Sequence, residues 1–459
     1  MQRNHQISQR KHSTVSIFAP TYLSTYFRIL LWLLPLLFLS IAFFYPLSRI
    51  LSLTLDVQTF TNSNFVLAAR VLLFTLYQAI LSTLLTLLLG LPAAYLFARY
   101  DFRGKSLLRA LTAVPFMLPT VVVAAGFSAL LGPRGLIHTL FPFLSFSFIG
   151  TLTAILIAHV FYNTTIIIRV VGNALLSLDP KLEQAARSLG ANPLRVWWDV
   201  TLPLLRPSLL ASSLLVFLFD FTSFGVILLL GGSQFATLEV EIYLRVLKLP
   251  NLPLAALLSV IQLICTIIFS ILYTFFISRS TIQLTPRSIL IKPKTIQQKL
   301  FVSLLSLLLV LFFLLPLASL PIRSFFRLEA DRGQRGEVQY GFTADYYREL
   351  FINRRGSVFY VPPIQATLNS LGYAIATVII SLVLGFPAAF ALAKPTSLER
   401  ILDPLIMLPL GSSAVMLGLG FIISFGAWLT SPLLVPFAHT LVALPFVIRT
   451  LQPAIASIP

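Results

Sequence analysis

The chain has 459 residues, of which 57% are hydrophobic and only 10% are charged, and its formal net charge is +18. Soluble domains carry about 25% charged residues, so the composition excludes an ordinary soluble protein and predicts an all-α polytopic membrane protein. A transmembrane β-barrel is excluded because the apolar runs are solid and close to the length of a bilayer crossing. The basic residues lie in short segments between these runs, which argues against a nucleic-acid partner.

The N-terminal tail, residues 1–28, is polar and basic and precedes the first apolar run at about 29–53. That run is too long for a cleaved signal peptide, so we interpret it as a retained anchor with the N-terminus in the cytoplasm. The one cysteine, Cys265, lies inside an apolar run, which excludes an internal disulfide and a cysteine-based metal cluster. We expect no metal site and no cofactor in this chain.

About ten membrane spans are predicted from the apolar runs. In chain order they lie at 29–53, 65–98, 108–132, 149–178, 207–230, 254–277, 300–321, 364–393, 401–427 and 432–452. The segments 99–109 and 278–299 are strongly basic and fall on the same side as the N-terminus, as the positive-inside rule requires. The segment 322–363 is therefore an external loop, and its aromatic residues (Tyr340, Phe342, Tyr346 and Tyr347) predict that it is partly ordered.

The chain repeats itself in the same orientation. Gly90-Leu-Pro-Ala-Ala-Tyr95 returns as Gly385-Phe-Pro-Ala-Ala-Phe390, and Ala158-His159 returns as Ala438-His439. Such repetition predicts two halves around a shared pathway. We divide the chain into a first half at 29–277, a cytoplasmic linker at 278–299 and a second half at 300–459. The glycine–proline pairs are expected to mark kinks or close helix contacts.

A polar island at 179–203 interrupts the apolar pattern. Asp179-Pro180 is a good start for a short helix and Gly190 a good end. Asn192-Pro193 starts a second helix in the same way, and Pro203 is expected to end it. The first helix places Leu182, Ala185, Ala186 and Leu189 on one face. Trp197 and Trp198 suit the membrane–water boundary. The pattern fits two interpretations equally well: a surface presented to a partner, or simply a well-capped loop.

The spacing within this island resembles the EAA loop of ABC-transporter permeases that work with a solute-binding protein. The family pattern is matched by Gln184-Ala185-Ala186, Gly190, Val200 and Leu202-Pro203, with every interval kept. One departure is that Gln184 stands where the motif has Glu, with Glu183 beside it, which leaves any salt bridge from the motif Glu in doubt. Two such halves fused in one chain resemble the thiamine and ferric-iron importer permeases.

The resemblance implies that the loop docks on a cytoplasmic ATPase dimer through Glu183, Gln184, Ala185, Ala186, Gly190, Leu202 and Pro203. ATP and Mg²⁺ would bind that partner, because this chain has no Walker-type phosphate loop. The other implied partner is an extracytoplasmic solute-binding protein, and the implied location is the bacterial inner membrane. When the two halves are aligned, Asp179 corresponds to Pro459, so a second copy of the island is missing. Either the sequence is truncated in its second half, which we favour, or this protein has lost that copy.

Polar residues inside the predicted spans are candidates for the solute pathway. The candidates are Asp220, His159, Tyr162, Asn163 and His439. An acid within a span is costly and marks a functional site by default, and Asp220 would suit a cation. The alternative is that neighbouring helices satisfy these side chains and that they only hold the helices together.

A thiamine-like cation is the favoured solute, with ferric iron next and other small solutes still open. An ion-coupled secondary transporter remains the alternative, but it predicts charge pairs within the spans, which are nearly free of them. A membrane enzyme predicts clustered acids, histidines or a nucleophile near a membrane face, and the sequence shows no such cluster.

Overall fold

A computed structural model describes residues 25–55, 61–133, 135–141, 143, 148–278, 290–327, 341–353 and 360–458. Most of the predicted tail 1–28, half of the linker 278–299 and about half of the loop 322–363 lie outside these ranges. Within them, nine helical segments are long and apolar enough to cross a membrane. The prediction of an all-α polytopic membrane protein is therefore confirmed.

The helices before the linker run as follows. They are α1 (Thr25–Leu39), α2 (Tyr45–Thr54), α3 (Asn62–Arg99), α4 (Lys105–Met117), α5 (Thr120–Leu131), α6 (Leu136–Leu140), α7 (Leu152–Ser177), α8 (Pro180–Ser188), α9 (Pro193–Val196), α10 (Leu202–Phe221), α11 (Leu238–Leu247) and α12 (Leu252–Ser278). Short π-helical turns at Ser40–Phe44 and Trp197–Thr201 join α1 to α2 and α9 to α10, and a third lies at Ile227–Gly231.

The elements after the linker are α13 (Ile296–Ser324), β1 (Phe326–Arg327), β2 (Gly341–Phe342), α14 (Asp345–Glu349), α15 (Pro363–Ala393), α16 (Ser397–Met407), α17 (Ala414–Phe425) and α18 (Leu434–Ala456). The predicted order in 322–363 is present in its described part: β1 and β2 pair antiparallel, and Phe325 stacks on Phe342 and Tyr347 with ring centroids 5.9 and 5.0 Å away. Tyr340 lies outside the described residues.

Three predicted spans differ from the structure. The spans 108–132 and 401–427 are each two helices, α4 with α5 and α16 with α17. Leu118 precedes Pro119 and is extended, with φ −82° and ψ 143°, because a following proline disfavours the helical conformation. In the second half a 3₁₀ turn, Leu408–Gly411, precedes Ser413, which caps α17. The span 207–230 stops at Phe221, where α10 ends.

Both glycine–proline pairs mark close helix contacts, as expected. A Cβ added at Gly90 would lie 2.7 Å from the Cβ of Ile167, so α3 and α7 approach too closely for any larger residue. In the second half, a Cβ at Gly385 would lie 2.7 Å from Cγ1 of Val447, between α15 and α18. The sequence repeat therefore extends to the way the helices pack.

The described helices form two compact units whose boundaries differ from those of the sequence repeat. The smaller unit comprises Met1–Pro46, Leu368–Leu410 and Ala427–Pro459, and the larger comprises Leu47–Thr367 and Gly411–Gly426. In the smaller unit the first span packs on second-half helices: Arg28 pairs with Glu399 at 3.2 Å, and Phe38 lies against Phe437.

The larger unit shows the reciprocal arrangement. Its helix α13, the first span of the second half, packs along α4 and α5 of the first half. The hydroxyl of Ser319 donates to the carbonyl of Gly126 at 2.8 Å, and a Cβ at Gly126 would lie 2.7 Å from the carbonyl oxygen of Pro316. Each half thus contributes its first span to the helices of the other half, which the sequence analysis did not predict.

Candidate functional site

The first helix of the polar island has the predicted N-terminal cap. The Asp179 carboxylate accepts a hydrogen bond of 2.9 Å from the backbone N–H of Lys181, and Pro180 occupies the first helical position. A carboxylate there also interacts favourably with the positive end of the helix. Helix α8 therefore begins at a fixed residue.

The C-terminal end of α8 is also fixed. Gly190 has φ +87°, in the left-handed region. Its N–H donates to the carbonyl of Arg187 at 2.9 Å, and the N–H of Ala191 donates to that of Ala186 at 3.1 Å. These two bonds are the Schellman motif, which satisfies carbonyls that the helix end leaves open. The predicted role of Gly190 as the residue that ends α8 is confirmed.

The second helix of the island starts as predicted but does not end at Pro203. Asn192 accepts a bond of 2.8 Å from the N–H of Arg195, and Pro193 follows it. The helix then continues through the π turn Trp197–Thr201 into α10. A π turn shifts the hydrogen-bonding register, and here Leu202 N–H bonds Trp197 O, which accommodates a proline that lacks an N–H. The island and the next span are one continuous rod.

Glu183 makes the salt bridge that Gln184 cannot make. Its carboxylate pairs with the guanidinium of Arg99, the last residue of α3, and accepts a hydrogen bond of 3.2 Å from the Thr201 hydroxyl. The Gln184 side chain is exposed. Helix α8 is thereby joined to the end of α3 and to the start of the α10 rod, through the residue directly before the one that the motif indicates.

The predicted apolar face of α8 is largely uncovered. Leu182 is 48% and Leu189 is 89% exposed, and Ala185 is exposed while Ala186 is half-buried. Leu194 on α9 is also exposed. Leu202 and Pro203 lie instead at the start of α10 and are half-buried, so the structure separates them from this face. Exposed leucines on a short, capped, polar helix are typical of a surface that binds a partner.

Three of the five pathway candidates form one buried cluster. The side-chain amide of Asn163 donates to Oδ1 of Asp220 at 2.7 Å, and Nδ1 of His159 lies 3.4 Å from the same oxygen. His159 also bonds the hydroxyls of Ser82 at 2.9 Å and Ser223 at 2.8 Å. The cluster joins α3, α7 and the end of α10 within the first half.

The remaining candidates lie elsewhere. Tyr162 is half-buried, and its hydroxyl donates to the carbonyl of Leu118 at 3.4 Å. His439, on α18, is exposed and belongs to the smaller unit. Gln78 joins the cluster instead, because its amide donates to the Asp220 carbonyl at 2.8 Å. The Asp220 side chain is fully buried, so this geometry favours helix packing over direct exposure to a solute.

A second buried carboxylate was missed by the sequence analysis. Glu239, on α11, is 1% exposed and accepts hydrogen bonds from the Gln262 amide at 2.6 Å and the Ser413 hydroxyl at 2.7 Å. Ser413 also caps α17, since its Oγ accepts from the N–H of Met416. Glu239 stands between two predicted spans, 207–230 and 254–277, so the rule that selected Asp220 as an acid within a span did not reach it.

Comparisons with known proteins point to one family. Residues 86–282 match the family described as "Binding-protein-dependent transport system inner membrane component". The thiamine transport system permease protein ThiP of Brucella abortus is 30% identical over 398 residues, which cover 84% of this chain and 69% of the relative. ThiP of Haemophilus influenzae is 36% identical over 217 residues, 46% of this chain and 40% of that protein.

A third relative is named for a different solute. The putative 2-aminoethylphosphonate transport system permease protein PhnU of Salmonella typhi is 30% identical over 277 residues. These residues cover 56% of this chain and 95% of the relative. The matched residues, 86–282, include the polar island and both buried carboxylates, Asp220 and Glu239.

Proposed function

This chain belongs to the family of binding-protein-dependent transport system inner membrane components, and we propose that residues 179–203 couple it to a cytoplasmic ATPase. As a member of that family it is a transport subunit, a permease of an importer. In this proposal ATP and Mg²⁺ bind the ATPase, while the permease supplies the route through the membrane.

The exposed apolar face of α8 is the observation that carries the proposal. Leu182 and Leu189 project from a helix that is capped at both ends, so little ordering entropy is lost when a partner covers it. Small residues, Ala185 and Gly190, lie beside them and allow close approach of a complementary groove. The chemistry is that of a rigid helix entering an apolar groove on another protein.

The contacts of Glu183 supply the route by which force would pass into the membrane. A partner that moves α8 also pulls on Arg99 at the end of α3 and on Thr201 in the π turn. Helices α3 and α10 are spans of the first half, and both pack against α7. Movement of α8 would therefore tilt a packed group of helices as one body, which is the rigid-body kind of transition.

For the solute we propose a thiamine-like cation. Two relatives, from Brucella abortus and Haemophilus influenzae, are named as thiamine transport permeases. The Salmonella relative is named for 2-aminoethylphosphonate, which makes a small phosphonate the second candidate. Ferric iron has only the sequence resemblance in its favour.

The proposed orientation puts the N-terminus and the polar island in the cytoplasm, with an extracytoplasmic binding protein delivering the solute. It follows from the positive-inside rule, since the basic segments 99–109 and 278–299 share a side with the island. The bacterial inner membrane is the proposed location. An ion-coupled secondary transporter would need no ATPase and leaves the exposed face of α8 without a role.

Substitution of Leu189 tests the docking surface. Leu189→Glu places a charge at the most exposed leucine of the apolar face. We expect ATP-dependent uptake of labelled thiamine to fall at least about tenfold, since a buried unpaired charge opposes docking. Ser188→Glu is the matched control, because it adds the same charge to the same helix on an adjacent, exposed flank. Both variants are to be checked for equal insertion in the membrane.

Two outcomes would contradict the proposal. One is equal uptake by Leu189→Glu and the unsubstituted chain. The other is uptake that survives ATP depletion but collapses when an ionophore removes the ion gradient, which would establish the secondary-transporter alternative. Competition by unlabelled 2-aminoethylphosphonate in the same assay separates the two candidate solutes.

A further inference from the structure

A cavity of about 690 Å³ lies beside α8, between the ends of α3 and α9 and the beginning of α13. Four aromatic side chains form much of its wall: Tyr95, Tyr100, Trp197 and Phe301. They contact one another, with ring centroids 5.9 Å apart for Tyr95 and Trp197 and 6.0 Å apart for Tyr100 and Phe301. The aliphatic residues Leu91 and Pro92 continue this wall along α3.

The polar lining of the same cavity is predominantly cationic. Arg99, Arg187 and Glu183 all line it, which leaves one positive charge in excess. Glu183 is already paired with Arg99. Among the described residues the Arg187 guanidinium has no hydrogen-bond or ion-pair partner, so its charge is available to a ligand.

Further donors come from the first turn of α13. Gln297 and Gln298 line the cavity there, and Thr295 caps the helix by accepting from the N–H of Gln298 at 3.3 Å. Burial, reinforced by Tyr95, raises the pKa of Tyr100, so its phenol stays protonated at neutral pH. The site thus combines an unpaired guanidinium and neutral donors with an aromatic and aliphatic wall.

A ligand that fits this cavity needs both an anionic group and an apolar part, and the position of the cavity indicates which ligand has both. It lies where α3 ends and where the α9–α10 rod and α13 begin, and all three are membrane spans. Tryptophan and tyrosine concentrate at the level of the lipid headgroups, and basic pockets between spans at that level bind anionic headgroups. A free anion would use the guanidinium but would leave the apolar wall uncovered.

We propose that this cavity binds one anionic phospholipid from the bilayer leaflet on the same side of the membrane as α8. The phosphate lies at Arg187 and the first turn of α13, and one acyl chain follows the wall formed by Tyr95, Trp197 and Phe301. Cavities of about 300–1,000 Å³ hold small ligands, so this one takes the headgroup and the upper part of a chain, with the remainder in the bilayer. The lipid contacts α8, α3 and α13 together.

Native mass spectrometry of the purified chain tests this proposal. The chain is reconstituted in phosphatidylcholine nanodiscs with or without phosphatidylglycerol, and retained lipids are counted after release. We expect one tightly retained phosphatidylglycerol, and Arg187→Gln is expected to weaken it about tenfold, as loss of a charged contact worth about 1.4 kcal/mol would. Arg187 is exposed, so the substitution leaves the packed helices intact.

Arg195→Gln is the matched control. Arg195 is on α9, is exposed, and pairs with Asp199 at 3.3 Å. Its substitution removes the same charge and is expected to change retention less than twofold. Equal loss in both variants, or equal retention of phosphatidylcholine, overturns the proposal. Displacement of the lipid by millimolar inorganic phosphate would instead identify a plain anion site and also overturn it.

Discussion

Asp220 and Glu239 are two fully buried carboxylates of the larger unit, but their partners come from different parts of the chain. The side-chain partners of Asp220, Asn163 and His159, both belong to the first half. Glu239 binds Gln262 of its own half and Ser413 of the second half. The first cluster therefore holds helices together within one half, whereas the second is a joint between the halves.

The two carboxylates also differ in how completely they are satisfied. Both oxygens of Glu239 accept hydrogen bonds, and the carboxylate lies at the N-terminus of α17, where the helix dipole favours a negative charge. Among the described residues, Oδ2 of Asp220 has no hydrogen-bond partner. The carboxylate that joins the two halves therefore has its hydrogen-bonding capacity more completely satisfied than the carboxylate within the first half.

Removal of Glu239 is expected to have the largest effect. Glu239→Ala leaves the Gln262 amide and the Ser413 hydroxyl buried without an acceptor, which costs on the order of 3 kcal/mol. We expect a large fall in the midpoint of thermal unfolding in detergent. Glu241→Ala is the control on the same helix, because Glu241 pairs with Arg245, one turn away in its own helix, at 2.7 Å. An equal fall in the unfolding midpoint of both variants would contradict the interpretation of Glu239 as a joint between the halves.

Ser413→Ala is expected to have an intermediate effect. It removes one hydrogen bond to Glu239 and the cap of α17, together worth about 1–2 kcal/mol. Ser259→Ala is the matched control, because this buried hydroxyl donates to the carbonyl of Ala255 in its own helix, at 2.8 Å.

The double variant Glu239→Ala/Ser413→Ala then measures the contact between the halves directly. Residues in contact show interaction energies of at least about 0.5 kcal/mol in such cycles. If the losses of unfolding free energy in the two single variants simply add in the double variant, Glu239 and Ser413 act independently. The interpretation of their contact as a joint between the halves would then be wrong.

The features that the sequence predicted correctly are those set by neighbouring residues. The caps at Asp179 and Asn192 and the left-handed Gly190 depend on a few consecutive residues, and all three are present. The contact of Glu239 with Ser413 joins residues 174 positions apart. No periodicity or local spacing shows which distant segments meet, so this joint could be found only in the fold.

The incorrect predictions have local causes of their own. Pro203 was expected to end a helix, but the π turn Trp197–Thr201 just before it changes the hydrogen-bonding register and lets the helix continue. The span 108–132 was predicted as one helix because hydropathy does not register the restriction that Pro119 imposes on Leu118. In the polar island, where the sequence left the salt bridge of the motif open, Glu183 pairs with Arg99 one residue before the motif position.

Asp220→Asn is expected to have the smallest effect, and it decides between packing and pathway. The substitution is isosteric, and the remaining amide oxygen can still accept from Asn163, so the stability loss should stay below about 1 kcal/mol. Because the Asp220 side chain is fully buried among first-half helices, we expect the KM for thiamine uptake to change less than twofold. A tenfold rise in KM with an unchanged unfolding midpoint would instead place this carboxylate on the route of a cation. Asp220 would then belong to a solute-binding site, whereas Glu239 would hold the two halves together.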